Sequence, residues 1–137
     1  MNCPFCDLDK EKTRMLEEKK HVFTVLSNPR LMPGHTLVIP KRHVERLSDL
    51  SKDERGELFD TAIEYQNKIL EKVASGCDIN QHHRPFLSQS KLKVNHLHIH
   101  LRPREFKDTL YETSQKFEVF EDLTREEGGK FVEILSH

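Results

Sequence analysis

Three of the nine histidines of this chain lie close together, each separated from the next by a single apolar residue. They are His96, His98 and His100, with Leu97 and Ile99 between them. A two-residue period is that of a β-strand, which predicts the imidazoles on one face and the aliphatic side chains on the other. A core accounts for the aliphatic face, but strand propensity gives no reason for three imidazoles opposite it. The pattern therefore predicts a site that uses histidine chemistry.

Two kinds of chemistry fit this row of imidazoles. An imidazole with a pKa near 6.5 is mostly neutral at pH 7, so it can attack an electrophile without first losing a proton. His98 stands between two further imidazoles that can donate hydrogen bonds to phosphate oxygens or to a leaving group. A covalent histidine intermediate would divide one difficult displacement into two easier ones. The same spacing can also present two imidazoles to a metal ion, provided that other ligands converge on it.

Charge is distributed unevenly along the chain. Residues 81–104 contain no acid, and the bases among them are Arg84, Lys91, Lys93, Arg102 and Arg104. Residues 105–137 contain nine acids and four bases, which predicts an acidic C-terminal extension. The histidines thus lie in the stretch that suits an anionic ligand. A formal net charge of −1 gives no overall electrostatic basis for binding a polynucleotide or a membrane.

Length and composition indicate one small domain, residues 1–137. Because only 35% of the residues are hydrophobic, added burial in a homodimer is favoured. No apolar run approaches the length of a membrane span, and no signal-peptide core follows Met1. Cys3 and Cys6 form a C-x-x-C pair and Cys77 is alone, which fits a reducing cytoplasm better than a disulfide framework. We expect a cytoplasmic protein.

The elements that position the histidines follow from hydrophobic periods and turn residues. Strands are predicted at residues 22–26, 35–39, 79–86 and 93–101. A capping box of Ser51 and Glu54 opens a long helix, with Gly76 as its stop and an apolar face that is core or dimer surface. Thr124 and Glu127 open a C-terminal helix. We predict an α+β fold with an antiparallel sheet, one long helix and a C-terminal helix, and residues 1–20 mainly as a loop or ribbon.

Three segments together resemble the histidine triad family of nucleotide hydrolases and transferases. Residues 96–101, His-Leu-His-Ile-His-Leu, followed by Pro103-Arg104, resemble the triad signature. Residues 33–43, Pro-Gly-His-Thr-Leu-Val-Ile-Pro-Lys-Arg-His, resemble the turn and strand before the long helix of the family. Cys3-Pro4-Phe5-Cys6 resembles the opening of its zinc-containing bacterial members. The segments follow one another in the family's order.

The resemblance implies a small nucleotide-binding fold, usually a homodimer, that acts on nucleoside phosphoramidates or dinucleoside polyphosphates. His98 falls on the nucleophile that attacks the α-phosphorus and carries the nucleotidyl group. His100 falls on the residue that holds phosphate oxygens, and His96 completes the catalytic triad. His35 falls on a nucleotide-binding partner near the triad. Phosphoryl transfer depends on in-line positioning and on neutralised equatorial oxygens, which such residues can supply.

Two segments depart from the family's pattern. Members commonly have Gly-Gln-Ser or Gly-Gln-Thr before the triad, whereas this chain has Lys91-Leu92-Lys93-Val94-Asn95. Lys93 is therefore a candidate to hold a phosphate as a point charge. Ser27 and Asn28 occupy the region where members have an acidic or amide residue on the ribose hydroxyls, which makes both candidates for nucleotide binding.

The resemblance also implies a zinc site. Cys3, Cys6, His43 and His96 make the Cys₂His₂ set of the zinc-bearing relatives, and four protein ligands indicate a structural role. From the residues alone, the C-x-x-C pair could instead be a redox pair or two unliganded thiols.

The main hypothesis is a nucleotide hydrolase or nucleotidyl transferase that works through a nucleotidyl-His98 intermediate. One alternative is a nucleotide-binding regulatory protein with vestigial activity, against which the intact triad argues. Another is a metal-dependent enzyme, which is disfavoured because the zinc set takes only one histidine of the triad. The expected partners are a nucleotide substrate and a second copy of the chain.

Overall fold

A computed structural model describes residues 3–9, 11–90 and 92–137 of the chain. The described residues form a sheet with the strand order β1-β2-β3-β5-β4, in which all neighbours are antiparallel. The strands are β1 (Met15–Glu18), β2 (Val22–Leu26), β3 (Thr36–Pro40), β4 (Gly76–Asn80) and β5 (Ile99–Arg104). The helices are α1 (Lys52–Lys72), α2 (Thr109–Thr113) and α3 (Arg125–Leu135). The predicted α+β architecture is confirmed.

The two faces of the sheet carry different side chains. On one face, Leu58 and Ile69 of α1 pack with Ile99 and Leu101 of β5 in the main core. A smaller apolar cluster belongs to β2 and β3 and consists of Phe23, Val25, Leu37 and Ile39, with Phe5 packed against it. Because side chains alternate along a strand, His100 lies on the face of β5 opposite Ile99 and Leu101. The face away from α1 therefore carries the histidine chemistry.

Local signals predicted α1 well. The hydroxyl of its N-cap residue Ser51 accepts a hydrogen bond from the Glu54 amide, and the Glu54 carboxylate accepts one from the Ser51 amide. Glu54 also pairs with Arg42 at 2.8 Å, so the helix start is tied to the loop after β3. The predicted stop was wrong: α1 ends at Lys72, and Gly76 is the first residue of β4.

The predicted strand over residues 93–101 begins only at Ile99. In the register of β3 with β5, Pro40 would face Leu97, and proline has no N–H to donate to a ladder. The Leu97 amide instead donates to the Val44 carbonyl in a loop. His96 and His98 consequently lie in the segment that leads into β5, and only His100 lies within the strand.

The strand predicted at residues 79–86 is β4, Gly76–Asn80. It ends where its partner β5 begins: Asn80 is paired with His100, and the segment before Ile99 is not a strand with which β4 could continue to pair. Residues 15–18, expected within a loop or ribbon, form the edge strand β1. The C-terminal helix begins as predicted, with the Thr124 hydroxyl accepting from the Glu127 amide.

Candidate functional site

The imidazole of His98 is fixed by the backbone just before it. Its Nδ1–H donates to the His96 carbonyl oxygen at 2.7 Å. A neutral imidazole carries one ring proton, so this bond leaves the lone pair on Nε2. Burial lowers the pKa of His98 below its ordinary value of 6.5, which keeps the ring neutral at pH 7. Phe5 packs edge-on against the ring, with 5.1 Å between centroids. The arrangement holds Nε2 in the state that a nucleophile needs.

His35 and His100 form a chain of hydrogen bonds whose direction is set by the backbone. The Leu31 amide donates to His35 Nδ1 at 3.1 Å, so the proton of a neutral His35 sits on Nε2. That Nε2–H donates to His100 Nδ1 at 2.9 Å. His100 therefore carries its own proton on Nε2, where it is free to donate to a ligand.

The imidazoles of His35 and His100 are both neutral at pH 7. Burial lowers the pKa of His35 to about 4, and the charge of Arg102 and the nearby imidazole of His98 act in the same direction. Burial lowers the pKa of His100 to about 2, and the nearby imidazoles of His98 and His35 and the charge of Arg102 act in the same direction. Each ring thus acts as one donor and one acceptor rather than as a cation.

The third histidine of the row, His96, has different hydrogen-bond partners from the other two. His96 is 1% exposed, and its Nε2–H donates to the Pro40 carbonyl oxygen at 2.7 Å. Its Nδ1 lone pair consequently points at the sulfurs of Cys3 and Cys6, 3.4 and 3.5 Å away. His43 Nδ1 lies 3.1 Å from His96 Nδ1 and 3.2 Å from Cys6 Sγ. His96 thus belongs to a cluster of potential metal ligands.

These distances fit a tetrahedral metal ion. The four ligand atoms of Cys3, Cys6, His43 and His96 all lie within 4.8 Å of one another. Zinc bond lengths of about 2.3 Å to sulfur and about 2.0 Å to nitrogen require tetrahedral edges of about 3.5 Å from sulfur to nitrogen and about 3.3 Å between nitrogens. Three sulfur–nitrogen edges of 3.2 to 3.5 Å and the nitrogen–nitrogen edge of 3.1 Å are close to these values. The cluster could therefore bind a metal.

A small cleft, open to solvent, lies beside His98. Its walls come from the loop after β4 and from the segment before β5, and they include His82, Arg84, Lys93 and Asn95. Lys93 lines the cleft, and its amine donates a hydrogen bond to the Leu87 carbonyl oxygen of the same loop at 2.6 Å. The other lysine of the basic stretch, Lys91, lies outside the described residues.

Ser27 and Asn28 lie at the end of β2, next to His35. The Ser27 amide donates to the His35 carbonyl oxygen, and the Ser27 hydroxyl donates to the Pro29 carbonyl oxygen at 2.8 Å. Asn28 is exposed. Among the described residues, those lining the cleft beside His98 include neither of the two.

Sequence reasoning missed three contributors to this region. Phe5 packs edge-on against His98, and His82 lies edge-on to His100 with 5.4 Å between centroids. The third contributor is Arg102, whose guanidinium contacts the His82 ring. The absence of acids from residues 81–104 was the available signal for Arg102, since it marked the surroundings as electropositive. Nothing in the spacing of Phe5 or His82 indicated a position beside the triad.

Comparison with known proteins identifies a family and relatives by sequence. The HIT domain family matches residues 9–107. The asymmetrical bis(5'-nucleosyl)-tetraphosphatase of Schizosaccharomyces pombe is 35% identical over 98 residues, which cover 72% of this chain and 50% of that protein. This chain therefore matches only half the length of that relative.

Solved structures share the fold. A HIT family protein of Bacillus subtilis superposes with a TM-score of 0.74 over 99% of this chain and 96% of that one, at 22% identity. A zinc-bound histidine triad family protein of Mycobacterium smegmatis gives a TM-score of 0.65 over 98% of this chain and 92% of that one, at 24% identity. Within the described ranges of this chain, no helix is long and apolar enough to cross a membrane.

Proposed function

The chain belongs to the HIT domain family, and we propose that it is a nucleotide hydrolase or nucleotidyl transferase acting through a covalent nucleotidyl-His98 intermediate. The substrate is a nucleoside phosphoramidate or a dinucleoside polyphosphate, attacked at the α-phosphate. The Schizosaccharomyces pombe relative is a bis(5'-nucleosyl)-tetraphosphatase, which supports hydrolysis of a dinucleoside polyphosphate. The observation that carries the proposal is the hydrogen bond from His98 Nδ1–H to the His96 carbonyl, because it leaves Nε2 as the nucleophile.

In the first step, the Nε2 lone pair forms a bond to the α-phosphorus. The bond from phosphorus to the leaving group breaks, and the leaving group takes the electron pair. His98 becomes a nucleotidyl-imidazolium and keeps its Nδ1–H on the His96 carbonyl oxygen, which stabilises the positive charge. A neutral nucleophile needs no base to activate it, which agrees with the lowered pKa of His98.

His100 binds a non-bridging oxygen of the α-phosphate. Its Nε2–H is free because Nδ1 accepts from His35, and His35 is oriented in turn by the Leu31 amide. A donor that is already oriented stabilises the charge of the transition state without reorganisation. His35 is thus a positioning residue for His100.

In the second step, water or an acceptor alcohol attacks the α-phosphorus and the bond from phosphorus to Nε2 breaks. The nucleophile loses one proton to solvent, and His98 returns to its neutral form with Nδ1–H in place. With water, the product is a nucleoside monophosphate. We propose Ser27 and Asn28 as ribose contacts and Lys93 as a phosphate contact in this complex.

We propose that the metal of the Cys3, Cys6, His43 and His96 cluster is a structural zinc ion. The donor set is two thiols and two imidazoles, which zinc prefers, and protein fills every position of a tetrahedron. Zinc would crosslink the N-terminal loop to the segment that carries His98. Because thiolate ligands must stay reduced, this site supports a cytoplasmic location.

We also propose a homodimer formed through α1. The helix buries one apolar stripe in the core and exposes a second, whose members Phe59, Ile63 and Leu70 are 41–53% exposed, and Val73 just after the helix is 56% exposed. An apolar stripe of this kind on a small domain is typical of a protein interface.

A panel of substrates tests the proposed activity. Wild-type protein should hydrolyse at least one compound among nucleoside phosphoramidates and dinucleoside polyphosphates, and His98→Asn should lose at least about 10³-fold in kcat/KM. The matched control is His137→Asn, which changes an exposed histidine of the C-terminus. Wild-type protein that binds nucleotides but turns none over would contradict this proposal and favour the regulatory alternative.

A further inference from the structure

A group of cationic side chains lies beside His100 and has no role in the steps above. Arg102 follows His100 on the same face of β5, and its Nη2 lies 3.5 Å from His82 Nε2. Burial lowers the pKa of His82, and the charges of Arg84 and Arg102 lower it further. Burial also lowers the pKa of Arg102, against the charge of Asp78, and the charges of Arg104 and Arg84 add to the lowering. We call the two cations, Arg84 and Arg102, together with the neutral imidazole of His82, the cationic group.

Asp78, the acid that faces Arg102 across the sheet, does not neutralise this group by direct bonding. Asp78 is paired with Arg102 across β4 and β5, but its carboxylate accepts from Arg104 Nη1 at 2.7 Å. Arg104 is held further by Asp108, also at 2.7 Å. Asp78 is therefore engaged by a different guanidinium, and Arg102 keeps its charge for another partner.

Two buried polar atoms on this face lack partners among the described residues: Arg102 Nε and Asn80 Oδ1. Asn80 is paired with His100, so both atoms flank the residue that we propose for the α-phosphate. Buried donors and acceptors are almost always satisfied in native proteins, by ordered water or a ligand where the protein offers nothing. An oxyanion would satisfy Arg102 Nε, and a hydroxyl on the same ligand would satisfy Asn80 Oδ1.

We propose that the cationic group, centred on Arg102, binds the phosphates of the leaving group, so that the preferred substrates are polyphosphates rather than phosphoramidates. This inference rests on the proposed function, since it locates the α-phosphate at His98 and His100. The chemistry agrees with it: a phosphate leaves as a stable anion, whereas an amine must gain a proton in order to leave. The bond that breaks joins the α-phosphorus to the bridging oxygen, and the electron pair departs with that oxygen toward the Arg102 guanidinium.

Direct binding measurements test the subsite without turnover. Calorimetry at low ionic strength compares AMP with α,β-methylene-ATP, which adds two phosphates and resists cleavage at the α-phosphorus. Wild-type protein should bind the longer ligand about tenfold or more tightly than AMP. Arg102→Met should reduce that ratio close to one, and Arg102→Lys should retain part of it because lysine keeps the charge but not the fork of donors.

Arg55→Met is the matched control, because Arg55 is exposed on α1, on the other side of the sheet. Its ratio should equal that of the wild type. Should Arg102→Met fail to fold, Arg84→Met tests the same group from an exposed position and should also lower the ratio. An unchanged ratio in the folded Arg102 or Arg84 variants, with AMP still bound, would overturn the subsite alone. Absence of AMP binding in wild-type protein would overturn the proposed function together with it.

Kinetics supply a second readout. In wild-type protein, kcat/KM for a dinucleoside tetraphosphate should exceed that for a nucleoside phosphoramidate of the same base. Arg102→Met should reduce this preference about tenfold. A wild-type preference for the phosphoramidate would contradict the inference while leaving the His98 mechanism intact.

Discussion

The chemistry of this site depends on where each imidazole carries its proton. Three backbone groups decide this: the His96 carbonyl for His98, the Pro40 carbonyl for His96, and the Leu31 amide for His35. The alternating sequence indicated the candidate side chains, because spacing and residue type are local properties. It could not predict the proton positions, because each depends on a backbone group whose place is set by the fold.

The low pKa of His35 makes stability depend on pH. An unfolded imidazole has a pKa near 6.5, whereas burial and then Arg102 hold that of His35 at about 4. As pH falls below 6.5 the unfolded state takes up the proton first, so stability is lost between pH 6.5 and about 4. The slope for this group is at most about 1.4 kcal/mol per pH unit. Urea unfolding across this range should show a shallower slope in His35→Gln, which has nothing to protonate there.

Acid also releases metal from thiolate and imidazole ligands, which would affect both proteins alike. The difference between the two slopes, rather than either slope alone, is therefore the measured quantity. Equal slopes in wild-type protein and His35→Gln would show that His35 is not held neutral by its surroundings.

At the scale of elements, the N-terminal loop joins the potential metal ligands to the segment that carries the proposed nucleophile, His98. Cys3 and Cys6 bracket Phe5, which packs edge-on against His98 at 5.1 Å and against His96 at 5.9 Å. The loop adds Phe5 to the apolar cluster of β2 and β3 as well. Fixing the two cysteines thus keeps an aromatic ring against the nucleophile.

Metal removal should therefore destabilise the fold more than it slows the chemistry. We expect about one zinc per chain, and we expect Cys3→Ser to lower Tm by about 10 °C or more, because metal binding contributes to folding energy. The kcat of the folded fraction should fall less than about tenfold, since the metal does not touch the reacting atoms. Elemental analysis, thermal melts and kinetics below Tm measure the three quantities. Cys77→Ser is the control, and an unaltered Tm in Cys3→Ser with no metal in wild-type protein would contradict a structural site.

Some elements of the fold are determined by residues that are close together in the sequence, and others are not. The start of α1 was predicted because Ser51 and Glu54 satisfy one another within four residues. The start of β5 was not, because its position depends on Pro40 in a strand about 60 residues earlier, whose missing N–H ends the ladder. The metal cluster was anticipated only through resemblance, since Cys3 and His96 meet across 93 positions of sequence.

For the molecule as a whole, we propose a single domain over residues 1–137 with residues 105–137 as an extension. The extension is anchored at its beginning, where Arg104 bonds Asp108 and Gln115. Beyond that point apolar side chains are largely exposed, and Phe120 is 89% exposed. The match to the HIT domain ends at residue 107, which is consistent with this boundary.

The proposed dimer is tested by placing a charge in the exposed stripe of α1. Ile63 is 53% exposed, and Ile63→Asp would bury a carboxylate in an apolar interface, which should weaken association about 100-fold or more. Sedimentation equilibrium measures the change. Leu16→Asp, at a position 46% exposed on β1, is the matched control and should remain dimeric. A wild-type protein that stays monomeric at high micromolar concentration would contradict the proposal.

The central claim is that the nucleotide is carried covalently on His98. Wild-type protein mixed with a dinucleoside polyphosphate, quenched within milliseconds and kept at alkaline pH, should show by mass spectrometry a nucleoside monophosphate adduct on the peptide containing His98. Alkaline handling preserves the phosphorus–nitrogen bond, which acid would hydrolyse. The adduct should be absent from His98→Asn and should decay at the rate of turnover or faster. An adduct on any other residue, or undiminished turnover by His98→Asn, would contradict the mechanism.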